Sequence, residues 1–237
     1  MNAAAGGKLY VIPTPIGNLE DITLRALRIL KEADVVLCED TRRTATLFQK
    51  YDIHTRRESF HEHNKFRRTP SVIKRLNQGQ IFAQISEAGT PGISDPGFYL
   101  IRATISADIP VEVLPGACAA IVALVGSGLP LDRFAFEGFL PAKKGRKTRL
   151  ENLSHERRTM IFYEAPHRMK RTVGDLLAAF GDRRAAWGRE LSKIHEEYRR
   201  GTLSDLLNKL EEKTPRGEYT LIVEGETSRK KKSKPIK

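Results

Sequence analysis

Through most of the chain, short runs of β-branched and aliphatic residues alternate with stretches whose apolar positions recur at helical spacing. LYVIP, from Leu9 to Pro13, reads as a buried strand. After the turn TPIGN, the segment DITLRALRILKEA sets Ile22, Leu27, Leu30 and Ala33 on one helical stripe, with Asp21 placed to cap it. VVLC, from Val35 to Cys38, is the next strand, and a helix carrying Ala45, Leu47, Phe48 and Tyr51 follows. TPSVIKRLNQG predicts a helix capped by Thr69, with Pro70 at its first position. IFAQIS, LIRATISA and VEVLP then supply strand, helix and strand. That βαβ rhythm predicts a parallel sheet covered on both faces.

The second half keeps the α/β class without repeating the sequence. FAFEGF, TMIFYE, RAAWGRE and EYTLIVEG read as strands, with RMKRTVGDLLAAF and LSDLLNKLEE as helices between them. The Gly- and Pro-rich segment from Gly126 to Pro130 is the best boundary, giving domains over 8–126 and 130–226. Residues 227–237 carry no apolar pattern and are expected to be a disordered basic tail.

Composition narrows the partners. Apolar residues make up 40% and charged residues 30%, a balance that excludes a largely disordered chain. No apolar run approaches the roughly 20 residues a membrane helix needs. MNAAAGGK lacks the basic and apolar regions of a secretion signal, so a cytoplasmic protein without membrane attachment is expected. The two cysteines, Cys38 and Cys118, have no metal-ligand spacing and read as reduced thiols. Net charge is +12, unevenly spread: residues 1–119 hold 15 basic and 13 acidic side chains, residues 120–237 hold 26 and 16. Six of the basic residues lie in the acid-free stretch after Thr227. A basic half favours a polyanionic partner, although such tails also serve solubility.

Ligands of parallel sheets bind beyond the carboxyl ends of the strands, which directs attention to the loops after them. Four are unusual: Pro13 to Asn18, SEAGTPGISDPG at 86–97, Pro115 to Ala120, and Glu164 to Arg168. Glycine lets backbone approach a ligand, proline fixes a loop, and small residues at a helix start leave its N–H groups open. Any one of these loops could be a plain turn; four on one sheet edge argue for a site. A P-loop and a GxGxxG after the first strand are both missing, which removes phosphate-cradling ATPases and dinucleotide enzymes. His61-Glu62-His63-Asn64 offers too few ligands for a metal. The basic residues around it, Arg42, Arg43, Lys50, Arg56, Arg57, Lys65, Arg67 and Arg68, form either a solvated face or a phosphate track. Lys143-Lys144-Gly145-Arg146-Lys147 is a second basic loop.

Taken together, LYVIPTPIGNLEDITLRAL, CEDTRR, FHEHN, AGTPGISDPG, PGACAA, RFAFEGFLPAKKG, TMIFYEAPHR, GRELSKIHEE and YTLIVEG resemble one family, in order, across about residues 8–226. It is the 16S ribosomal RNA 2′-O-methyltransferase family that targets a decoding-region cytidine ribose, within the tetrapyrrole methylase superfamily. The resemblance implies two α/β domains, S-adenosylmethionine in the cleft between them, a homodimer, and a substrate of 16S ribosomal RNA in the 30S subunit; in-line methyl transfer is itself expected to need no metal. It assigns Pro15, Gly17, Ser86, Glu87, Ala88, Gly89, Cys118 and Ala119 to the cofactor, joined by Phe162, Tyr163, Leu191 and Thr220 from the second domain. RNA contacts are expected from Arg42, Arg43, Asn64, Arg67, Arg68, Lys143, Lys144, Arg146 and Arg168. The chain departs from the family pattern at Glu87, where aspartate is usual, and the basic tail is expected to stand where a small helical domain often follows.

Methyl transfer from a sulfonium is an in-line displacement, so alignment and exclusion of water should supply most of the catalysis. A ribose hydroxyl is a weak nucleophile, and His61, His63 and Glu87 are the candidates to orient or deprotonate it. Two other functions compete. One is C-methylation of a tetrapyrrole precursor, against which the HEHN segment and basic second half argue. The other is a ribosome-associated binding protein without activity, to which only Glu87 points.

Overall fold

The computed structural model describes residues 6–212 and 214–227; all but the first residue of the tail expected at 227–237 lies outside the described residues. The chain divides into two compact units, the first ending at Cys118 and the second beginning at Ala119. That division precedes the Gly126–Pro130 segment because the intervening helix packs on strands of the second unit.

In the first unit, β1 (Lys8–Ile12), β2 (Val35–Cys38), β3 (Arg57–Ser59), β4 (Ile81–Ile85) and β5 (Val111–Val113) form a sheet in the order β3-β2-β4-β1-β5. Every pairing in it is parallel. Side chains of β1 alternate between faces, as a period of two requires. Leu9 and Val11 join α3 (Lys65–Asn77) and α4 (Phe98–Ser106) in one core; Ile12 joins α1 (Leu24–Glu32) and α2 (Thr44–Lys50) in the other. The sheet is therefore covered on both faces, which is why all four residues of β2 can be apolar and buried.

Two local expectations change. Thr23, not Asp21, caps α1, its hydroxyl accepting the Ala26 N–H at 3.1 Å, while Asn18 caps a short 3-10 turn over 19–21. Helix α3 starts at Lys65, one turn before Thr69, so Pro70 lies inside it. Thr69 is buried and donates to the Lys65 carbonyl at 2.7 Å, and Pro70 sits on the exposed side, where a carbonyl without its helical partner meets water.

The second unit holds β6 (Phe134–Phe139), β7 (Thr159–Glu164), β8 (Arg184–Arg189), β9 (Glu197–Thr202) and β10 (Tyr219–Val223) in the order β6-β7-β10-β8-β9. Only β6 and β7 run parallel; the other pairings are antiparallel. Helices α6 (Arg146–Leu153), α7 (Pro166–Phe180) and α8 (Leu203–Glu212) cover one face over Met160, Phe162, Trp187 and Leu221. Helix α5 (Ala119–Ser127) packs against β7, β8, β9 and β10.

Candidate active site

Because the first sheet is wholly parallel, the loops after all five strands gather at one edge. Those after β1, β4 and β5 are stitched together. Thr14 and Gly89 exchange two backbone hydrogen bonds of 2.9 Å, and the Thr14 hydroxyl donates to the Ser86 carbonyl at 3.1 Å. The Ser86 hydroxyl donates to the Gly89 carbonyl at 2.9 Å, and Thr90 donates to the Ala117 carbonyl at 3.0 Å. Glycine is required at two of the crossings. Gly89 has φ of +78°, and a side-chain carbon there would lie 3.3 Å from Ile16 Cγ2. At Gly116 it would lie 2.6 Å from Cβ of Pro13, a ring that cannot step aside. Pro15 is buried beneath this crossing, while Gly17 and Ala88 are exposed at its rim. A cavity of about 100 Å³ opens beside it, lined by Thr14, Pro15, Arg43, Leu47, Ser86 and Glu87.

The loops after β2 and β3 add charge. Arg43 forms an ion pair with Glu87 across the edge. The Arg42 guanidinium and backbone N–H hold the Asp40 carboxyl below the usual carboxylate range. Glu58 pairs with Arg56, Arg68 and Arg75. Asn64 is used by its own loop, accepting from the His61 N–H at 3.0 Å and donating to the Ser59 carbonyl at 3.3 Å. Arg67 is exposed. The His61 and His63 rings meet edge to face with centroids 5.9 Å apart, and His61 Nδ1 is buried without a partner. Among the described residues no group of three His, Cys, Asp or Glu could hold a metal ion.

Sequence reasoning missed Glu39, one residue past β2. Its Oε1 is buried without a hydrogen-bond partner, and burial, then the charge of Glu87, push its pKa up.

In the second unit, Tyr163 and Thr220 are register partners across β7 and β10, and the N–H of Ala120 at the start of α5 donates to the Tyr163 hydroxyl at 3.1 Å. Phe162 points the other way, into the core under α7 and α8, so its side chain is closed to a ligand. Leu191 is buried against Gly188, where an added carbon would lie 2.7 Å from Leu191 Cδ2. Cys118 and Ala119 are half-buried where one unit ends and the next begins.

The basic candidates of this unit separate. Lys143 and Lys144 are exposed, but Arg146 is only 5% exposed. Its guanidinium donates to Asp175 Oδ2 at 2.7 Å, Thr172 Oγ1 at 2.9 Å and the Pro141 carbonyl at 3.1 Å. The expectation that Arg146 meets RNA is therefore corrected: every nitrogen is turned inward onto protein acceptors. Arg168 is largely held as well, beside buried Glu164 at 3.2 Å and donating to the Leu140 carbonyl at 2.6 Å.

A five-stranded parallel sheet with this crossed-loop edge, followed by a mixed five-stranded α/β unit, is the build of a tetrapyrrole methylase. The family model for tetrapyrrole (corrin/porphyrin) methylases matches residues 8–207. Two structures from Thermus thermophilus share the fold. A uroporphyrin-III-C-methyltransferase has a TM-score of 0.65 at 25% identity, over 92% of this chain and 94% of that one. A uroporphyrin-III C-methyltransferase complexed with S-adenyl homocysteine has 0.64 at 19% identity, over 91% and 97%. Far nearer in sequence is Ribosomal RNA small subunit methyltransferase I of Streptococcus pyogenes serotype M3, 49% identical over 220 residues, which are 92% of this chain and 77% of the relative. The chain belongs to the ribosomal RNA small subunit methyltransferase I family of the tetrapyrrole methylases.

Proposed function

We propose that the chain transfers the methyl group of S-adenosylmethionine to the 2′-oxygen of a cytidine ribose in the decoding region of 16S ribosomal RNA. The observation that carries this is 49% identity, over 92% of the chain, to a methyltransferase of small-subunit ribosomal RNA. Supporting it is the backbone crossing at Thr14, Gly89 and Gly116, where the loops after three strands pack so closely that an added carbon at either glycine would meet Ile16 or Pro13. Bound there, S-adenosylmethionine would supply a methyl group on a sulfonium, open to in-line attack by the ribose oxygen. The chain's part is positional. Ser86 and Thr14 fix the loop backbone by hydrogen bonds, and Ala88 and Gly89 present it. Arg42, Arg67, Lys143 and Lys144 are exposed and offer cations to RNA phosphates. In this assignment the protein works as a cytoplasmic homodimer on 30S subunits and uses no metal. Exposed Val125, Phe134, Phe136 and Phe139 supply apolar surface for such a dimer.

The test is incubation with S-adenosylmethionine labelled in the methyl group and either 30S subunits or uroporphyrinogen III. Label in the RNA, in alkali-resistant dinucleotides, is the expected result. Label only in the tetrapyrrole reassigns the chain to C-methylation, and label in neither favours a binding protein.

A further inference from the structure

Transfer to a ribose hydroxyl needs a group to take its proton, and the edge at β2, β3 and β4 separates its carboxylates by pairing. Asp40 is held by Arg42, Glu58 by three arginines, Glu62 by Lys65, and Glu87 by Arg43. Of the five carboxylates Glu39, Asp40, Glu58, Glu62 and Glu87, Glu39 is the one with no ion pair among the described residues. It is half-buried, with Oε1 buried and unpartnered, and its place is fixed through the backbone by the Ser59 hydroxyl donating to the Glu39 carbonyl at 3.3 Å. An acceptor held out of water without a partner costs stability and calls for an explanation, of which a catalytic role is one. We infer that Glu39 is the catalytic base, its free carboxylate oxygen accepting the proton of the ribose 2′-hydroxyl; this rests on the ribose methylation proposed above.

In the step, the ribose O2′–H proton passes to the Glu39 carboxylate as the O2′–carbon bond forms and the sulfur–carbon bond of the sulfonium breaks. The products are a 2′-O-methyl ether, a neutral thioether and a carboxylic acid, which then loses its proton to solvent. Arg43 neutralises Glu87 and so leaves Glu39 as the basic group at this point. Two charged groups act on the Glu39 carboxyl: Glu87 raises its pKa and Arg43 lowers it, against a larger upward push from burial. The Glu87 backbone N–H lowers it too. The net upward direction moves the base toward the pH at which it works, where general bases are most effective.

The experiment measures single-turnover methylation of 30S subunits from pH 5 to 9 with wild-type, Glu39→Gln and His61→Gln proteins. S-adenosylmethionine affinity is read separately by calorimetry. The expected result for Glu39→Gln is a rate at least about 100-fold lower, the low end of what a general base contributes, with cofactor affinity intact. The acidic limb of the wild-type profile should vanish in that variant and persist in His61→Gln. A Glu39→Gln protein within threefold of wild type, with its acidic limb in place, overturns the inference. So does loss of the limb in His61→Gln alone. Should Glu39→Gln not fold, Glu39→Asp carries the test: the acidic limb must move, and an unmoved limb overturns the assignment. A wild-type protein that labels no ribose overturns the proposed function and the inference with it.

Discussion

Replacing Arg146 by methionine separates a core arginine from an RNA-binding one. The substitution keeps most of the aliphatic stem and removes a guanidinium that is 5% exposed and bonded to Asp175, Thr172 and the Pro141 carbonyl. Losing one partner of a buried ion pair costs about 3–5 kcal/mol. Here the Asp175 side chain is 35% exposed and can rehydrate. The loss then falls nearer that of a single hydrogen bond to a charged group, about 1.5–3 kcal/mol. In a chain of this length each kcal/mol moves the midpoint by roughly 2–4 °C, so a fall of about 3–12 °C is expected. Thermal unfolding followed by circular dichroism measures it. RNA titrations well below the new midpoint should give the wild-type affinity and salt slope. An unchanged midpoint with weakened RNA binding would refute the reasoning and return Arg146 to the RNA face.

Gly89→Val should abolish S-adenosylmethionine binding, since a branched side chain meets both φ of +78° and Ile16; wild-type heats of binding on a folded variant would remove this loop from the site. The Glu156 carboxyl is held down to about 2, from an ordinary 4.5, by the Arg158 side chain and then its backbone N–H. A carboxyl lowered on folding stabilises above its ordinary value and ceases to as pH falls through the folded one. Glu156→Gln should therefore lower the thermal midpoint at pH 7 and approach wild type near pH 2; a pH-independent difference would show that the ion pair is not its source. Deleting residues 228–237, which hold six Lys or Arg, should flatten the salt dependence of RNA binding by several units of about 0.7–0.9 per lost phosphate contact. Superimposable slopes would shift the contacts to Arg42, Arg67 and the Lys143–Lys144 loop.

Strands buried on both faces were readable from composition: VVLC and YTLIV leave no other place for their residues. Two of the four edge strands, β3 and β9, were not. RES of β3 and EYRRGT of β9 each pair on one side only and have no fully buried residue, so no apolar pattern marks them. Pro70 misplaced the start of α3 because proline favours a first turn, whereas the turn of His61 and Asn64 had already begun the helix. At the edge, the glycines announced close backbone crossings, and Gly89 and Gly116 have them. Arg146 could not be read as a core residue, because its partners Thr172 and Asp175 are 26 and 29 residues away. Glu39 was hidden for a similar reason: its isolation follows from where arginines on other loops find their acids.

The most direct test of the account is a nucleoside-resolved map of ribose methylation in 16S ribosomal RNA from cells with the gene, without it, and with the Gly89→Val form. The account predicts a 2′-O-methylcytidine in the decoding region that is present only with the unaltered gene. Identical ribose methylation in all three RNAs would contradict it.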